Sequence, residues 1–184
     1  IAKNGGGIKA TKSTVTIEHC IIENNSITGE GGGILGRSNS TITINNSWVI
    51  NNASDGNGAG IYMDGGTLTV TNTVIADNVA KNGDGGGIRL QGATATIINS
   101  TISKNTTTSG NGNGIHFYSG SSATILNSIV WNNGSQSIVY SNLNEANSFN
   151  ISYSILEGGQ ANIAINNNGT VTWGDGNIDS DPLF

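Results

Sequence analysis

The sequence predicts an all-β fold, a right-handed parallel β-helix with three short strands in every coil of about 27 residues. Three markers recur at this spacing, and each holds the same phase through the first 134 residues. They are the isoleucine that closes a glycine cluster (Ile8, Ile34, Ile61, Ile88, Ile115), a T-x-T pair, and an asparagine after a hydrophobic pair (Asn25, Asn52, Asn78, Asn105, Asn133). Units this short bury a core only by stacking on one another. The right hand follows from the strong preference of parallel crossovers.

Each coil contains three strand-like runs in a fixed order. The first follows the glycines, as in "GIYM" and "GIRL", and the second alternates strictly, as in "TVTI" and "TLTV". Alternation with period two places the aliphatic residues of the second run inside and its threonines outside. The third run places one aliphatic residue inside, preceded by a small polar column that begins with Cys20. We interpret Cys20 as a structural substitute for serine.

The corner between the second and third strands is rich in asparagine. Asn46, Asn72, Asn99 and Asn127 occupy this corner, and His19 and Tyr153 occupy it in the flanking coils. Asparagine tolerates turn conformations and can bond to its copy in the next coil. We therefore expect an asparagine ladder at this corner.

The repeat becomes irregular after residue 134. Strand-like runs continue at residues 137–140, 149–156, 162–165 and 170–173, but the glycine cluster is lost. We expect one domain over residues 1–173, with regular coils in 1–134 and degenerate coils in 135–173. Residues 174–184 form an exit segment that ends in "DPLF".

Composition excludes several classes of function. The net charge of −5 disfavours nucleic acid, since phosphate binding requires clustered Lys and Arg. No apolar run approaches the length of a membrane span. Because the first residues already belong to a repeat, we expect the chain to be part of a longer protein.

The G-G-G-I, T-x-T-I and N-S-x-I-x-x-N pattern resembles the right-handed β-helix repeats of the pectin-lyase-like superfamily. It is most similar to repeats of bacterial surface proteins of the polymorphic outer-membrane and adhesin type. The tail "GNIDSDPLF" is similar to the end of such repeat blocks in secreted bacterial proteins. The resemblance implies an extracellular or cell-surface location, and it implies no single activity, because the superfamily contains both enzymes and inert stalks.

Enzymes of this superfamily need carboxylates that converge on one face. Glu30 and Asp84 share a column, but asparagines occupy the coils between and beside them (Asn4, Asn57, Asn111), which is typical of a turn-capping ladder. Asp175, Asp179 and Asp181 cluster in the tail and are the candidate ligands for Ca²⁺, the only cofactor the sequence suggests. No catalytic residue is assigned.

Two outward stripes are candidate binding surfaces. Tyr62, Arg89 and His116 share a column of the first strand with Lys9 and Leu35, and we find no acid aligned with it. Aromatic, guanidinium and imidazole groups in a row suit a glycan. An apolar stripe on the third strand, which includes Trp48, Ile129 and Trp131, predicts contact with a neighbouring protein. The alternative is that the facing is shifted by one residue and that this stripe belongs to the core.

These observations favour a non-catalytic structural or adhesive module with glycan-binding capacity. A polysaccharide lyase or glycoside hydrolase is the first alternative. The second is an ice-binding solenoid, because its outward hydroxyl groups form regular ranks: Thr14, Thr16, Thr41, Thr43, Thr67, Thr69, Thr94, Thr96 and Thr124.

Overall fold

The chain forms a parallel β-helix, as the repeat predicts, in a computed structural model that describes residues 3–141, 145–165 and 169–183. Every strand pair is parallel and is offset by one repeat, as in Ile61 with Ile88 and Ile75 with Ile102. The third strands stack in a sheet of six, which sets the number of turns.

The strands of each coil fall into columns. The first column contains β1 (Ile8–Thr11), β5 (Ile34–Arg37), β9 (Ile61–Thr71), β12 (Ile88–Ile98), β15 (Ile115–Tyr118), β18 (Ile138–Ser141) and β21 (Ile163–Ile165). The second contains the later halves of β9 and β12 with β2 (Thr14–Glu18), β6 (Thr41–Asn45), β16 (Ser122–Leu126), β19 (Ser148–Ser152) and β22 (Thr170–Trp173). Because β9 and β12 run through both columns, the two columns form one twelve-stranded sheet.

The remaining strands form two further sheets. The third column contains β3 (Ile21–Glu23), β7 (Trp48–Ile50), β10 (Val74–Ala76), β13 (Thr101–Ser103), β17 (Ile129–Trp131) and β20 (Ile155–Leu156). A fourth column of two-residue strands, which the sequence did not predict, contains β4 (Ser26–Ile27), β8 (Ala53–Ser54), β11 (Val79–Ala80) and β14 (Thr106–Thr107). A short 3-10 turn spans Gly159–Asn162.

The core is a set of aliphatic columns, and their facing agrees with the alternation in the sequence. Ile42 and Ile44 are buried in β6 while Thr41 is exposed, and the same pattern holds in β9, β12 and β16. The third-strand column from Ile22 to Leu156 is buried throughout.

The later coils replace aliphatic residues with aromatic ones. Phe117 lies 5.0 Å from Tyr140 and 5.8 Å from Phe149 between ring centroids, both in edge-on arrangements. The hydroxyl of buried Tyr140 donates to the Thr170 carbonyl oxygen over 3.0 Å. Burial raises the pKa of that hydroxyl, which therefore stays a donor. Larger side chains thus fill the core where the glycine repeat is lost.

Small polar side chains form a hydroxyl ladder before the third strand. In each coil the backbone N–H donates to the side-chain oxygen of the next coil, as from Ser47 to Thr73 over 3.3 Å and from Thr73 to Ser100 over 3.1 Å. Cys20 occupies this column in the first coil. Its N–H donates to Ser47 Oγ over 3.1 Å, and its Sγ donates to the Glu18 carbonyl oxygen over 3.1 Å. The interpretation of Cys20 as a serine substitute is confirmed.

The asparagine ladder lies at a different corner from the one predicted. Asn46, Asn72, Asn99 and Asn127 adopt left-handed φ values between 46° and 51° and are exposed. Among the described residues, the only side-chain bond along this column joins Asn99 Nδ2 to Asn72 Oδ1 over 3.3 Å. The prediction of a ladder here is wrong, because these side chains point into solvent at a left-handed corner.

The true ladder follows the third strand and consists of Asn25, Asn52, Asn78, Asn105 and Asn133. Asn78 is fully buried and accepts from the N–H and the Nδ2 of Asn52, each over 3.0 Å. Its own Nδ2 donates to the Val49 carbonyl oxygen and to Asn105 Oδ1, each over 2.9 Å. The ladder therefore satisfies buried backbone groups where the chain turns from the third strand into the fourth.

Candidate functional site

The column that holds Tyr62, Arg89 and His116 is buried, although its side chains point away from the core. Tyr62 is 3% exposed, Arg89 6% and His116 0%. The preceding glycine corner folds over them: a Cβ on Gly85, at φ +72°, would lie 2.7 Å from the Arg89 Cβ. Only glycine permits this approach. The prediction of an exposed stripe is therefore wrong, while a ligand role for the three residues stays a prediction.

An acidic group does accompany this column, contrary to the sequence interpretation. Arg89 Nη1 lies 2.7 Å from Asp84 Oδ2 and 3.1 Å from His116 Nδ1. The guanidinium carbon lies 5.0 Å from the centre of the Tyr118 ring and 5.8 Å from that of Tyr62. We call these five residues the Arg89 cluster. It places a buried cation between a carboxylate and two aromatic faces.

The geometry of the Arg89 cluster fixes the protonation state of His116. Arginine only donates, so His116 Nδ1 accepts from Arg89 and the ring proton resides on Nε2. Nε2 then donates to Ser141 Oγ over 2.6 Å. Burial, together with the nearby Arg89 charge and against the partial opposition of Asp84, lowers the pKa of His116 to about 4. The imidazole is neutral at neutral pH.

The carboxyl of Asp84 stays ionised. Burial alone would raise its pKa, but His116, the backbone N–H of Asn111 and the Arg89 guanidinium together hold the pKa below its usual value. Because the His116 imidazole is neutral at neutral pH, Arg89 is the positive charge that remains beside the Asp84 carboxylate at that pH.

Asp84 and Glu30 also belong to the turn-capping ladder that the sequence predicts. Asp84 N–H donates to Asn57 Oδ1 over 3.0 Å, and Asp84 Oδ1 accepts from Asn111 N–H over 2.9 Å. Glu30 accepts from Asn57 Nδ2 over 3.1 Å and forms an ion pair with Arg37. The alternation of acid and amide is therefore a continuous ladder, which confirms that prediction.

Replacing Asp84 by asparagine should destabilise the protein by about 2 kcal/mol, because it leaves the buried Arg89 charge without its counter-ion. Other coils carry asparagine at this position, so the backbone cap survives and only the charge is lost. The free energy of unfolding in denaturant measures the effect. A second Arg89→Leu change, which copies the buried Leu35 of the same column, should recover part of the loss. Equal stability of D84N and wild type would contradict the argument.

An open polar groove lies beside the Arg89 cluster, at the bend between the first and second strand columns. It has a volume of about 450 Å³ and is lined by Ser38, Asn39, Asp64, Gly65, Gln91, Gly92, Ser119 and Glu145. The sequence analysis missed it. The available signal was the 27-residue spacing that pairs Asp64 with Gln91 in adjacent strands.

The groove is tied to the cluster through Gln91. Gln91 Oε1 accepts from the Tyr62 hydroxyl over 2.9 Å, and its Nε2 donates to Asp64 Oδ1 over 3.2 Å. Arg37 Nε lies 3.9 Å from Asp64 Oδ2. Burial, assisted by the neighbouring Glu30, raises the pKa of Tyr62 to about 12, so its hydroxyl keeps its proton at neutral pH. Buried Tyr62 thus fixes the orientation of a groove side chain.

The tail carboxylates do not come together as a set. Asp179 Oδ1 accepts from Gly158 N–H over 2.9 Å, and Asp181 Oδ1 accepts from Leu183 N–H over 2.8 Å. Asp175 contributes its backbone oxygen to Tyr153 N–H over 2.8 Å. Within residues 3–141, 145–165 and 169–183, no three His, Cys, Asp or Glu side chains are placed to hold a metal ion. Phe184, which ends the predicted exit segment, lies outside the described residues.

The outer face of the third sheet is apolar, and its facing agrees with the prediction. Ile21 is 64% exposed, Trp48 52% and Ile178 51%, while Ile129 and Trp131 are half-buried. Trp48 lies between Ile21 and Val74 in adjacent strands. Thr101 interrupts the face between Val74 and Ile129, and the partner of the face stays a prediction.

The threonine ranks of the second column stack in register across the coils. Thr41 pairs with Thr14 and Thr67, and Thr43 pairs with Thr16 and Thr69. The ranks continue through Thr94, Thr96 and Thr124, and Ser122 Oγ donates to Thr94 Oγ1 over 3.1 Å. Thr43, Thr69 and Thr96 are half-buried, whereas the other threonines named as the array are exposed. The lattice is regular, and its action on water stays a prediction.

Comparison with known proteins supports the fold. A family described as "Right handed beta helix region" matches residues 1–75, which agrees with the predicted hand of the solenoid. No curated protein and no solved structure matches this chain. Among the described residues, no helix is both long and apolar enough to cross a membrane.

Proposed function

We propose that the chain is a non-catalytic structural and adhesive module of a secreted or cell-surface bacterial protein. Its hydroxyl and asparagine ladders run through consecutive coils and make the rod stiff along its axis. The observation that carries the proposal is the use of the reactive groups of the first sheet. Arg89 and His116 are buried, and Asp84 is largely engaged with them. The titratable groups of this sheet therefore bond to one another and to Ser141, and they are not presented to a substrate in this proposal.

The faces of the rod supply the adhesive contacts in this proposal. The apolar face around Trp48, Ile129 and Trp131 suits a neighbouring protein, because contiguous exposed apolar residues mark contact surfaces. The polar groove beside the Arg89 cluster suits a glycan. The sequence analysis predicted glycan binding by Tyr62, Arg89 and His116, which are buried in the structure.

Display of the protein on a non-adherent bacterium tests the adhesive function. Cells that carry it should be retained under flow on mucin-coated or polysaccharide-coated glass, and cells with the empty display anchor should not. Equal retention of both strains would contradict adhesion. Release of unsaturated or reducing sugar from polyuronates or neutral polysaccharides would instead support the lyase or hydrolase alternative.

Ice binding is a second candidate, and the in-register threonine ranks favour it. Repeated hydroxyl and methyl groups at the strand spacing of about 4.8 Å present a regular lattice to water. If the ranks order ice, the protein should show thermal hysteresis, and T69K with T96K should abolish it because both residues lie in the middle of the array. Absence of hysteresis in the wild-type protein would remove this candidate.

A further inference from the structure

The polar groove is elongated because it is built from the same bend in successive coils. Ser38 and Asn39 follow β5, Asp64 and Gly65 lie within β9, and Gln91 and Gly92 lie within β12. Ser119 and Glu145 continue the lining into the next two coils. At about 4.8 Å per coil, four steps give a length of about 19 Å. This shape fits an extended chain, and the groove volume is in the range of ligand sites.

The lining presents both donors and acceptors. Four of its six side chains are neutral hydroxyls or amides, namely Ser38, Asn39, Gln91 and Ser119. Sugar hydroxyls both donate and accept, so they match such a surface, whereas an ammonium or guanidinium requires acceptors only. Asp64 repels anions, and the only cation that approaches it among the described residues is Arg37, at 3.9 Å.

The centre of the groove is held in place before any ligand arrives. Gln91 is fixed from below by the Tyr62 hydroxyl and from the side by Asp64. Tyr62 itself is buried against Arg89. A side chain whose rotamer is already fixed loses less entropy on binding. The Arg89 cluster therefore acts as the rigid floor of the groove, and Tyr62 is a positioning residue.

We propose that this groove binds an extended neutral oligosaccharide, with Asp64, Gln91 and Ser119 at its centre. The proposal deepens the adhesive function and rests on it, since it identifies the surface and the ligand class. It excludes polyuronates, because their carboxylates would face the carboxylate of Asp64.

Gly92 provides a variant that blocks the groove without disturbing the coil. Its φ of +57° is a left-handed value that asparagine tolerates, and a Cβ there would meet only the Ser119 carbonyl oxygen at 3.5 Å. G92N therefore places an amide side chain in the groove. Gly159, with φ +59° and its nearest contact at 3.7 Å, is the matched control outside the groove.

The test is a titration followed by the backbone amide signals of Gly65 and Gly92. The probes are cellohexaose, xylohexaose, mannohexaose, a hexagalacturonate and hexalysine. We expect at least one neutral hexasaccharide to shift both signals saturably. Followed on the Gly65 signal, which both variants keep, G92N should raise its Kd by about tenfold or more, and G159N should leave the Kd within about twofold.

Three results would overturn the proposal: no neutral hexasaccharide shifts the two signals, hexagalacturonate or hexalysine shifts them in their place, or G92N binds as well as wild type. Retention under flow separates this proposal from the adhesive function. Saccharide binding without retention contradicts adhesion and leaves the groove intact. Retention that G92N does not reduce, together with failed titrations, contradicts the groove alone.

Discussion

Replacing Asn78 by alanine is expected to lower the free energy of unfolding by about 4–6 kcal/mol, since each buried group left unpaired costs about 1–3 kcal/mol. Four side-chain bonds are lost, and the Asn52 N–H and the Val49 carbonyl oxygen lose the partners that they have in this ladder. Small domains have only about 5–15 kcal/mol in total. The N78A protein should therefore unfold at much lower denaturant concentration, or fail to fold at all.

Asn72 in the same coil is the matched control. It is exposed at a left-handed corner, and φ there is +50°. Glycine accepts this conformation, so N72G removes the side chain without backbone strain. Its free energy of unfolding should stay within about 0.5–1 kcal/mol of wild type. Denaturant unfolding followed by circular dichroism compares the two. If N78A loses no more stability than N72G, the inner ladder does not hold the coils together.

The contrast between these two asparagines shows why the sequence could predict the coil but not which corner turns its asparagines inward. Both recur every 26 to 28 residues, so periodicity alone cannot separate them. Alternation along the strand predicts facing only while the chain stays extended. The left-handed residue Asn51 bends the chain after β7 and returns Asn52 to the interior. A bend of this kind changes which of the following residues face inward. The residue type at the bend does not indicate whether the next side chain is buried.

The same dependence on corner conformation explains why the sequence analysis did not place Asp84 beside Arg89. Asp84 and Arg89 are five residues apart, and the sequence assigned them to different columns. The left-handed Gly85 folds the corner back over the strand and brings the carboxylate to the guanidinium. The column order, the strand facing and the apolar third sheet followed from repeat spacing because they depend on extended backbone. The Arg89 cluster and the groove depend on corner conformation, so they required the structure.

Stability is expected to fall by about 3 kcal/mol as the pH is lowered from about 6.5 to about 4, because His116 is protonated in the unfolded chain before it is protonated in the folded one. Burial, which lowers the pKa, is the main cause. The folded state prefers the neutral imidazole, so this contribution is complete above pH 6.5, the ordinary value, and is lost as pH falls through the folded value of about 4. Asp84, whose pKa is held below its ordinary value, adds its own loss only at lower pH.

His116→Gln isolates this contribution. The Gln amide can accept from Arg89 and donate to Ser141, as the neutral imidazole does, but it does not titrate. The free energy of unfolding of wild type and H116Q, measured in denaturant at several pH values between about 7 and 4.5, should converge as pH falls. The steeper slope must belong to wild type, because only wild type has an imidazole that takes up a proton on unfolding in this pH range. Parallel curves would mean that the pKa of His116 is the same in the folded and the unfolded chain, which contradicts the lowering by burial.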